Sequence, residues 1–352
     1  MRDGHSSQRT LYLCLVKSCM MIRKQLIYVA LVAWLLSLSA RAACINPVMG
    51  INLAGAEFAP SVLPGVEGIE YKFPTSIQIE KYMRTGFGAI RLPILWERIQ
   101  PELYGDLHEQ YVRSIERVAR DAERVGVKVV IDLHNYGRYR GKIVGVDIDG
   151  AAFRDVWKRI AMRLREHGSI AAYGLMNEPN DARRVWHRMA QFGVDGIRDS
   201  DRRKDIYIGG DGWSNAVQWV QANPRPFVID PEGRERYEVH LYLDDDASGR
   251  YLEGHPKSDP ESRVRDRLAP YFAWLKKYGK VGVIGEFGVP SDDDKWFSGV
   301  QEFYAITKNA CIDSYYWAGG AFSPKNILSL EPRNGEERLL MKKIKSYITT
   351  SK

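Results

Sequence analysis

Two glutamates stand out by their settings. Glu178 lies in Met176-Asn177-Glu178-Pro179 and Glu286 in Gly285-Glu286-Phe287-Gly288, and each follows a short apolar run. Two carboxyl groups delivered to one place suit hydrolysis of a glycosidic bond. One acid protonates the departing sugar oxygen while a carboxylate on the other side attacks the sugar or activates water. At a separation of about 5–5.5 Å the second group attacks directly, and the anomeric configuration is retained. Such chemistry needs two environments that pull the two acidities apart, leaving one carboxyl protonated and the other ionised.

A lone glutamate is more often a solvated charge, so the pair gains its weight from what accompanies it. Asn52, Arg91, the run His134-Asn135-Tyr136, Asp211 with Trp213, His240 with Tyr242, and Trp317 all sit in or just after short apolar runs. Those runs are Gly50–Leu53, Ala89–Leu92, Lys128–Leu133, Ile170–Met176, Asp205–Gly209, Tyr237–Leu241, Val281–Gly285 and Ser314–Trp317. Their length and β-branched content predict eight strands.

Longer amphipathic stretches separate them: Ser76–Thr85, His108–Val125, Ala151–His167, Ala182–Arg198, Asn215–Gln221, Glu261–Tyr278, Lys295–Lys308 and Glu336–Ile348. In the second, Tyr111, Ile115, Val118 and Ala122 recur at the spacing of one buried helix face, and Gly126 follows as a left-handed cap. Eight strands, each followed by a helix, predict an α/β fold, a (β/α)8 TIM barrel. No Gly-rich phosphate loop follows the first strand, which argues against a nucleotide fold. In a barrel all eight polar strand ends face one rim, where such folds keep their chemistry.

The 352 residues divide into a leader and one domain. Arg23 and Lys24 precede the apolar run Leu26–Leu38, and Ser39-Ala40-Arg41-Ala42 follows. A positive flank, a short apolar run and a small-x-small site describe a secretory signal peptide, so cleavage is expected after Ala42, with translation starting at Met1, Met20 or Met21. Residues 43–352 are then the folded domain, exported and with no membrane attachment after cleavage. The formal charge of +7 falls to +2 once the leader's basic residues are gone, and Arg183–Arg184 and Arg202–Lys204 are only short basic groups. A nucleic-acid partner would need clustered basic charge, so none is expected. Of four cysteines, Cys44 and Cys311 remain. They precede the first and last strands, which are neighbours in a closed barrel, and a Cys44–Cys311 disulfide is expected in an oxidising compartment.

With these elements in place, Arg91-Leu92-Pro93, Asp132-Leu133-His134-Asn135-Tyr136, Met176-Asn177-Glu178-Pro179, His240-Leu241-Tyr242-Leu243-Asp244 and Gly285-Glu286-Phe287-Gly288 resemble, in order, the strand-end motifs of glycoside hydrolase family 5. The resemblance spans about Gly50 to Pro332 and is closest to the endo-β-1,4-glucanase (cellulase) branch. It implies that Glu178 is the acid/base and Glu286 the nucleophile. It implies further that Asn177 binds the sugar 2-hydroxyl, that Arg91 and Tyr242 hold the nucleophile, and that His240 neighbours the acid/base. His134 and Trp317 would line the reacting-sugar subsite, and Trp213 would stack on an adjacent sugar. Two departures stand out: Leu241 replaces a commoner polar residue, and Phe322 a commoner tryptophan, both at positions expected to tune subsite preference.

The substrate implied is a β-linked polysaccharide, cut without a cofactor by a monomer. The same machinery would serve mannan, xyloglucan, mixed-linkage glucan or an exopolysaccharide. A metal-dependent hydrolase would want clustered His and Asp ligands, whereas His134 and His240 are single. Asp244–Asp246 lacks the twelve-residue spacing of a calcium loop and reads as a solvated loop. A non-catalytic polysaccharide-binding barrel would tolerate loss of a glutamate, arginine or tyrosine that this chain keeps.

Overall fold

In the computed structural model, which describes residues 47–180 and 185–349, eight parallel strands close into a barrel. They are β1 (Met49–Ala54), β2 (Ala89–Ile94), β3 (Lys128–Leu133), β6 (Ile170–Gly174), β7 (Asp205–Gly209), β8 (Glu235–Tyr242), β9 (Val281–Gly288) and β10 (Asp313–Gly320). A small antiparallel hairpin, β4 (Arg138–Tyr139) and β5 (Lys142–Ile143), is inserted after β3. Closure comes where β10 pairs with β1, Gly50 standing opposite Tyr315. Helices such as Glu109–Arg124, Gly150–Leu164 and Pro260–Tyr278 cover the outside.

Local chemistry accounts for the helix ends. Thr75 and Gln78 form a reciprocal capping box before Ser76–Arg84, and Asp149 and Asp259 each accept a backbone N–H at the start of theirs. Pro260 opens its helix where no intrahelical N–H is needed, and Gly279 closes it in the left-handed conformation. Tyr111, Ile115, Val118 and Ala122 are all buried, as their spacing requires.

The barrel interior is filled in layers. Ala89, Val130, Ala172, Tyr207, Val283 and Tyr315, one from each of six strands, form an apolar cluster of their own. Side chains alternate along a strand, so two residues on from Ala89 and Val130 the same interior face presents Arg91 and Asp132. The upper layer is therefore charged, resting on an apolar floor.

The strands also depart from expectation in ways that matter. β8, β9 and β10 run longer than predicted, so Glu286 lies within its strand rather than after it, and Trp317, expected to close the last strand, lies inside it. The β8–β9 ladder shifts register between Val239 and His240, and this brings His240 opposite Glu286. Irregularities of this kind re-aim side chains beside functional sites. The helix expected over Asn215–Gln221 shrinks to Trp219–Ala222, because Ser214 and Ala216 instead bond the backbone of His240. Leu241 points away from the rim into the core, fully buried, so it cannot meet a substrate as expected. Asp244, expected on a solvated loop, is also fully buried: its carboxylate accepts from the backbone of Gly249, Arg250 and Tyr251. Cys311 is disulfide-bonded. Cys44, the signal peptide and Arg183–Arg184 lie outside the described residues.

Candidate active site

Arg91 is the hub, fully buried on β2. Its guanidinium reaches Glu286 at 3.1 Å, Asn52 and Asn177 at 2.9 Å, Asp132 at 2.9 Å and Glu238 at 3.1 Å. Asn52 in turn donates to the carbonyls of Gly285 and Tyr316, tying β1 to β9 and β10. A planar fork with five donors suits this task, and the surrounding carboxylates outweigh burial, raising its pKa further.

Glu286 is held on both oxygens. Arg91 donates to Oε1, and the Tyr242 hydroxyl donates to Oε2 at 2.6 Å. Its side chain is only 4% exposed. Burial, with the charge of Glu178 nearby, pushes its carboxyl above the ordinary range, while His240, Arg91 and His134 pull the other way.

Glu178 occupies the turn after β6 with φ +44°, a left-handed backbone that a non-glycine residue adopts only where its surroundings enforce it. Its side chain, at 18% exposed, is the more open of the two. His240 Nδ1 lies 2.7 Å from its Oε1 and 3.5 Å from Oε2 of Glu286. Burial alone would lower the imidazole, but Glu286, Glu178 and Glu238 around it push its pKa up to about 10. Atoms of Glu178, His240 and Glu286 all lie within 4.8 Å of one another. Such a trio has the spacing to hold a cation. Here its members already serve as one another's partners, and Arg91 and Tyr242 take up Glu286.

The walls are aromatic. The Trp317 indole lies parallel to the His134 ring, centroids 5.5 Å apart and 13° from coplanar. Asp132 binds His134 Nδ1 at 2.8 Å, while Tyr136 and Asn177 meet Nε2 at 3.2 Å. Burial opposes a charge on His134, but the Asp132 contact prevails and raises its pKa. Trp213 is 49% exposed and stands edge-on to Tyr136 at 6.0 Å; its backbone N–H donates to the carbonyl of Pro179, beside Glu178. An exposed indole on a backbone anchored this way offers a flat face to a sugar rather than filling the core. On the other side of His134 and Trp317 opens a cleft of about 290 Å³, walled by Glu57, Phe58, Glu97 and Tyr136. Phe322 borders it at one remove, packed on Phe58 and Trp317.

All nine residues singled out from the sequence as catalytic or supporting thus meet at one rim. Glu57 and Glu238 were not singled out. Glu238 was within reach: two residues before His240 on the same strand, it must share the interior face. Glu57 follows β1 in an irregular turn that carries no periodic signal.

A closed βα barrel with two glutamates this close at its catalytic rim, one clamped and one open to the cleft, defines the class: a glycoside hydrolase. Comparison with known proteins gives the family. The model of the cellulase family, glycosyl hydrolase family 5, matches residues 51–323, and the chain belongs to that family. It is 31% identical over 291 residues to endo-beta-1,4-glucanase B of Aspergillus niger, covering 81% of this chain and 85% of that protein. It is 29% identical over 291 residues to endo-beta-1,4-glucanase B of Emericella nidulans, covering 81% and 86%. Among solved structures, endoglucanase Cel5A of Pseudomonas stutzeri, in complex with cellobiose, superposes with a TM-score of 0.82 at 36% identity, over 86% of this chain and 92% of that one.

Proposed function

We propose that the chain is a retaining endo-β-1,4-glucanase that cuts internal bonds of a β-1,4-glucan by double displacement. One observation carries this reading: carboxylate oxygens of Glu178 and Glu286 stand within 4.8 Å of each other, near the spacing for direct attack and well short of the roughly 6.5–9.5 Å that an intervening water requires. The endoglucanase names of the relatives direct the choice of polymer.

The two glutamates divide the work by environment. Glu286, clamped by Arg91 and Tyr242, is the nucleophile; Glu178, open to the cleft and bonded to His240, is the acid/base. Two carboxylates this close share one proton, because ionising both would set like charges together. With that proton on Glu178, Glu286 is free of its neighbour's repulsion and its donors keep it ionised. In the first step a Glu286 oxygen bonds the anomeric carbon as the glycosidic bond breaks, and the Glu178 proton passes to the departing oxygen. Glu178, now a carboxylate, takes a proton from water as that water attacks the anomeric carbon and releases Glu286. His134, Trp317 and Asn177 border the reacting sugar. Trp213, bonded to the Glu178 turn, stacks on the leaving-group side, and the cleft at Glu57 receives the opposite end of the chain.

Residues 1–42 are read as a signal peptide removed on export, Cys44–Cys311 as a disulfide of the mature domain, and the working form as a monomer. Among the described residues no helix is long and apolar enough to cross a membrane.

The test is hydrolysis of carboxymethylcellulose, mannan, xyloglucan and mixed-linkage β-glucan, with the anomer first released followed by proton NMR. Expected are fastest cleavage of the β-1,4-glucan, a rapid fall in viscosity, and initial release of the β-anomer. Release of the α-anomer would overturn the double displacement, and preference for mannan the assignment of polymer.

A further inference from the structure

Beneath the two site glutamates lies a third carboxylate that the reaction as written does not touch. Glu238 is 1% exposed. It stands on β8 between two cations: Arg91 Nε is 3.1 Å from its Oε1, and His240 Nε2 is 3.5 Å from the same atom. The neighbouring strand is shaped around it. A Cβ built on Gly285 would fall 1.7 Å from Glu238 Oε1, so only glycine beside Glu286 leaves this carboxylate its place. A buried carboxylate is costly unless charges answer it, and an apolar residue of the same size would fill the space without that cost.

We propose that Glu238 is a positioning residue: seated behind His240 and Arg91, it balances the charge of the layer in which one negative charge passes between Glu286 and Glu178. The inference rests on the double-displacement reading above. Of the groups facing Glu238, Arg91 is a cation on β2, His240 lies on its own strand, and His134 is paired with Asp132 at the end of β3. Tyr315 on β10 and Tyr271 from the helix outside carry neutral hydroxyls. Glu178 and Glu286 face His240 from the opposite side.

The charges cancel in both halves of the cycle. Setting aside the His134–Asp132 pair, Arg91 and a protonated His240 supply two positive charges. With Glu178 protonated, Glu286 and Glu238 supply two negative ones. In the covalent intermediate Glu286 is an uncharged ester and Glu178 is ionised, so the sum is unchanged. Without Glu238 the layer carries one surplus positive charge throughout. That surplus favours the ionised forms in the layer, so the pH range in which the pair shares a single proton moves to lower pH.

The experiment compares the pH–rate profile of the wild type with Glu238→Gln and Glu238→Asp on a cello-oligosaccharide. For Glu238→Gln both limbs of kcat/KM are expected to move to lower pH, by on the order of one unit. Above the optimum kcat should fall at least tenfold with little change in KM. Glu238→Asp keeps the charge and is expected to restore most of the profile. A folded Glu238→Gln enzyme whose limbs stay in place would overturn the proposal. Should Glu238→Gln fail to fold, nitrogen-15 NMR of wild-type His240 decides: both ring nitrogens protonated at pH 7 is the result required, and a neutral ring refutes it. Loss of the double-displacement reading registers elsewhere, as release of the α-anomer by the wild type.

Discussion

The Tyr242 hydroxyl donates to Oε2 of Glu286 at 2.6 Å, and the ring that carries it is backed by the loop that Asp244 folds. A Cβ on Gly249 would stand 2.9 Å from the Tyr242 ring, and this glycine has φ +77°. The buried Asp244 carboxylate thus acts at a distance: it shapes the loop, the loop seats the ring, and the ring aims a donor at the carboxylate. Tyr242→Phe removes that donor while keeping the ring. A hydrogen bond to a charged group contributes about 1.5–3 kcal/mol, so kcat/KM should fall about ten- to a hundredfold with the fold intact. Gly249→Ala should lower activity through the displaced ring. Steady-state kinetics and circular dichroism of both variants check this; an unchanged kcat/KM for Tyr242→Phe would refute the donor's role.

Replacing the acid/base separates the two steps. In Glu178→Gln nothing protonates a poor leaving group, and loss of general acid catalysis costs on the order of 10²–10⁴-fold. A dinitrophenyl cellobioside needs no such help, so its first step should proceed while the second, which needs a base, stalls. Expected are a severe loss on polymer and a burst of dinitrophenol of about one equivalent. Equal impairment of both substrates without a burst would count against Glu178.

Much of this site was legible before the structure because a barrel turns strand ends into neighbours. Arg91, Glu178, His240 and Glu286 are scattered along the chain, yet each lies near the end of an apolar run or just after one, and closure of β10 on β1 does the rest. What escaped reading was of two kinds. Irregular backbone leaves no periodic trace: the register shift at Val239–His240 and the left-handed backbone at Glu178, Tyr136 and Trp213 depend on tertiary contacts that no local pattern encodes. Facing direction was the other. Leu241 sits between two site residues in sequence, but alternation sends it outward into the core, whereas Glu238 obeys the same alternation and joins the charged layer.

Glu57 makes stability depend on pH. Burial pushes its carboxyl to about 7 against 4.5 when unfolded, with His134 and the Gly55 N–H pulling downward. The sign follows from linkage: a raised carboxyl binds its proton more tightly when folded, so its contribution is full below pH 4.5 and disappears as pH rises through 7. That difference is worth about 3 kcal/mol at most. Glu57→Gln has no proton to lose. Its melting temperature relative to the wild type should therefore climb between pH 4.5 and 7.5, and a constant difference across that range would contradict the assignment.

A buried pair far from the chemistry serves as the contrast. Arg198 grips Asp230 through two bonds, Nε to Oδ1 at 2.7 Å and Nη2 to Oδ2 at 2.8 Å, and neither side chain is more than 5% exposed. The same Asp230 accepts the backbone N–H of Arg234, and Arg198 also caps the carbonyls of Asp201 and Lys204. Burial works against the Asp230 charge, yet these donors prevail and hold its pKa below the usual value. A lowered carboxyl contributes stability above its unfolded pKa and loses it as pH falls through the folded one, so this pair supports the fold at neutral pH and fails only in acid. Asp230→Asn leaves a buried guanidinium without its charge partner, which costs roughly 3–5 kcal/mol. The melting temperature at pH 7 should drop by several degrees, while kcat/KM at 20 °C should stay within twofold of the wild type, because among the described residues the polar partners of the Asp230 carboxylate are Arg198, Glu232 and Arg234, none of them in the charged layer around Arg91. A matching loss of activity in folded enzyme would mean that this pair reaches the site after all.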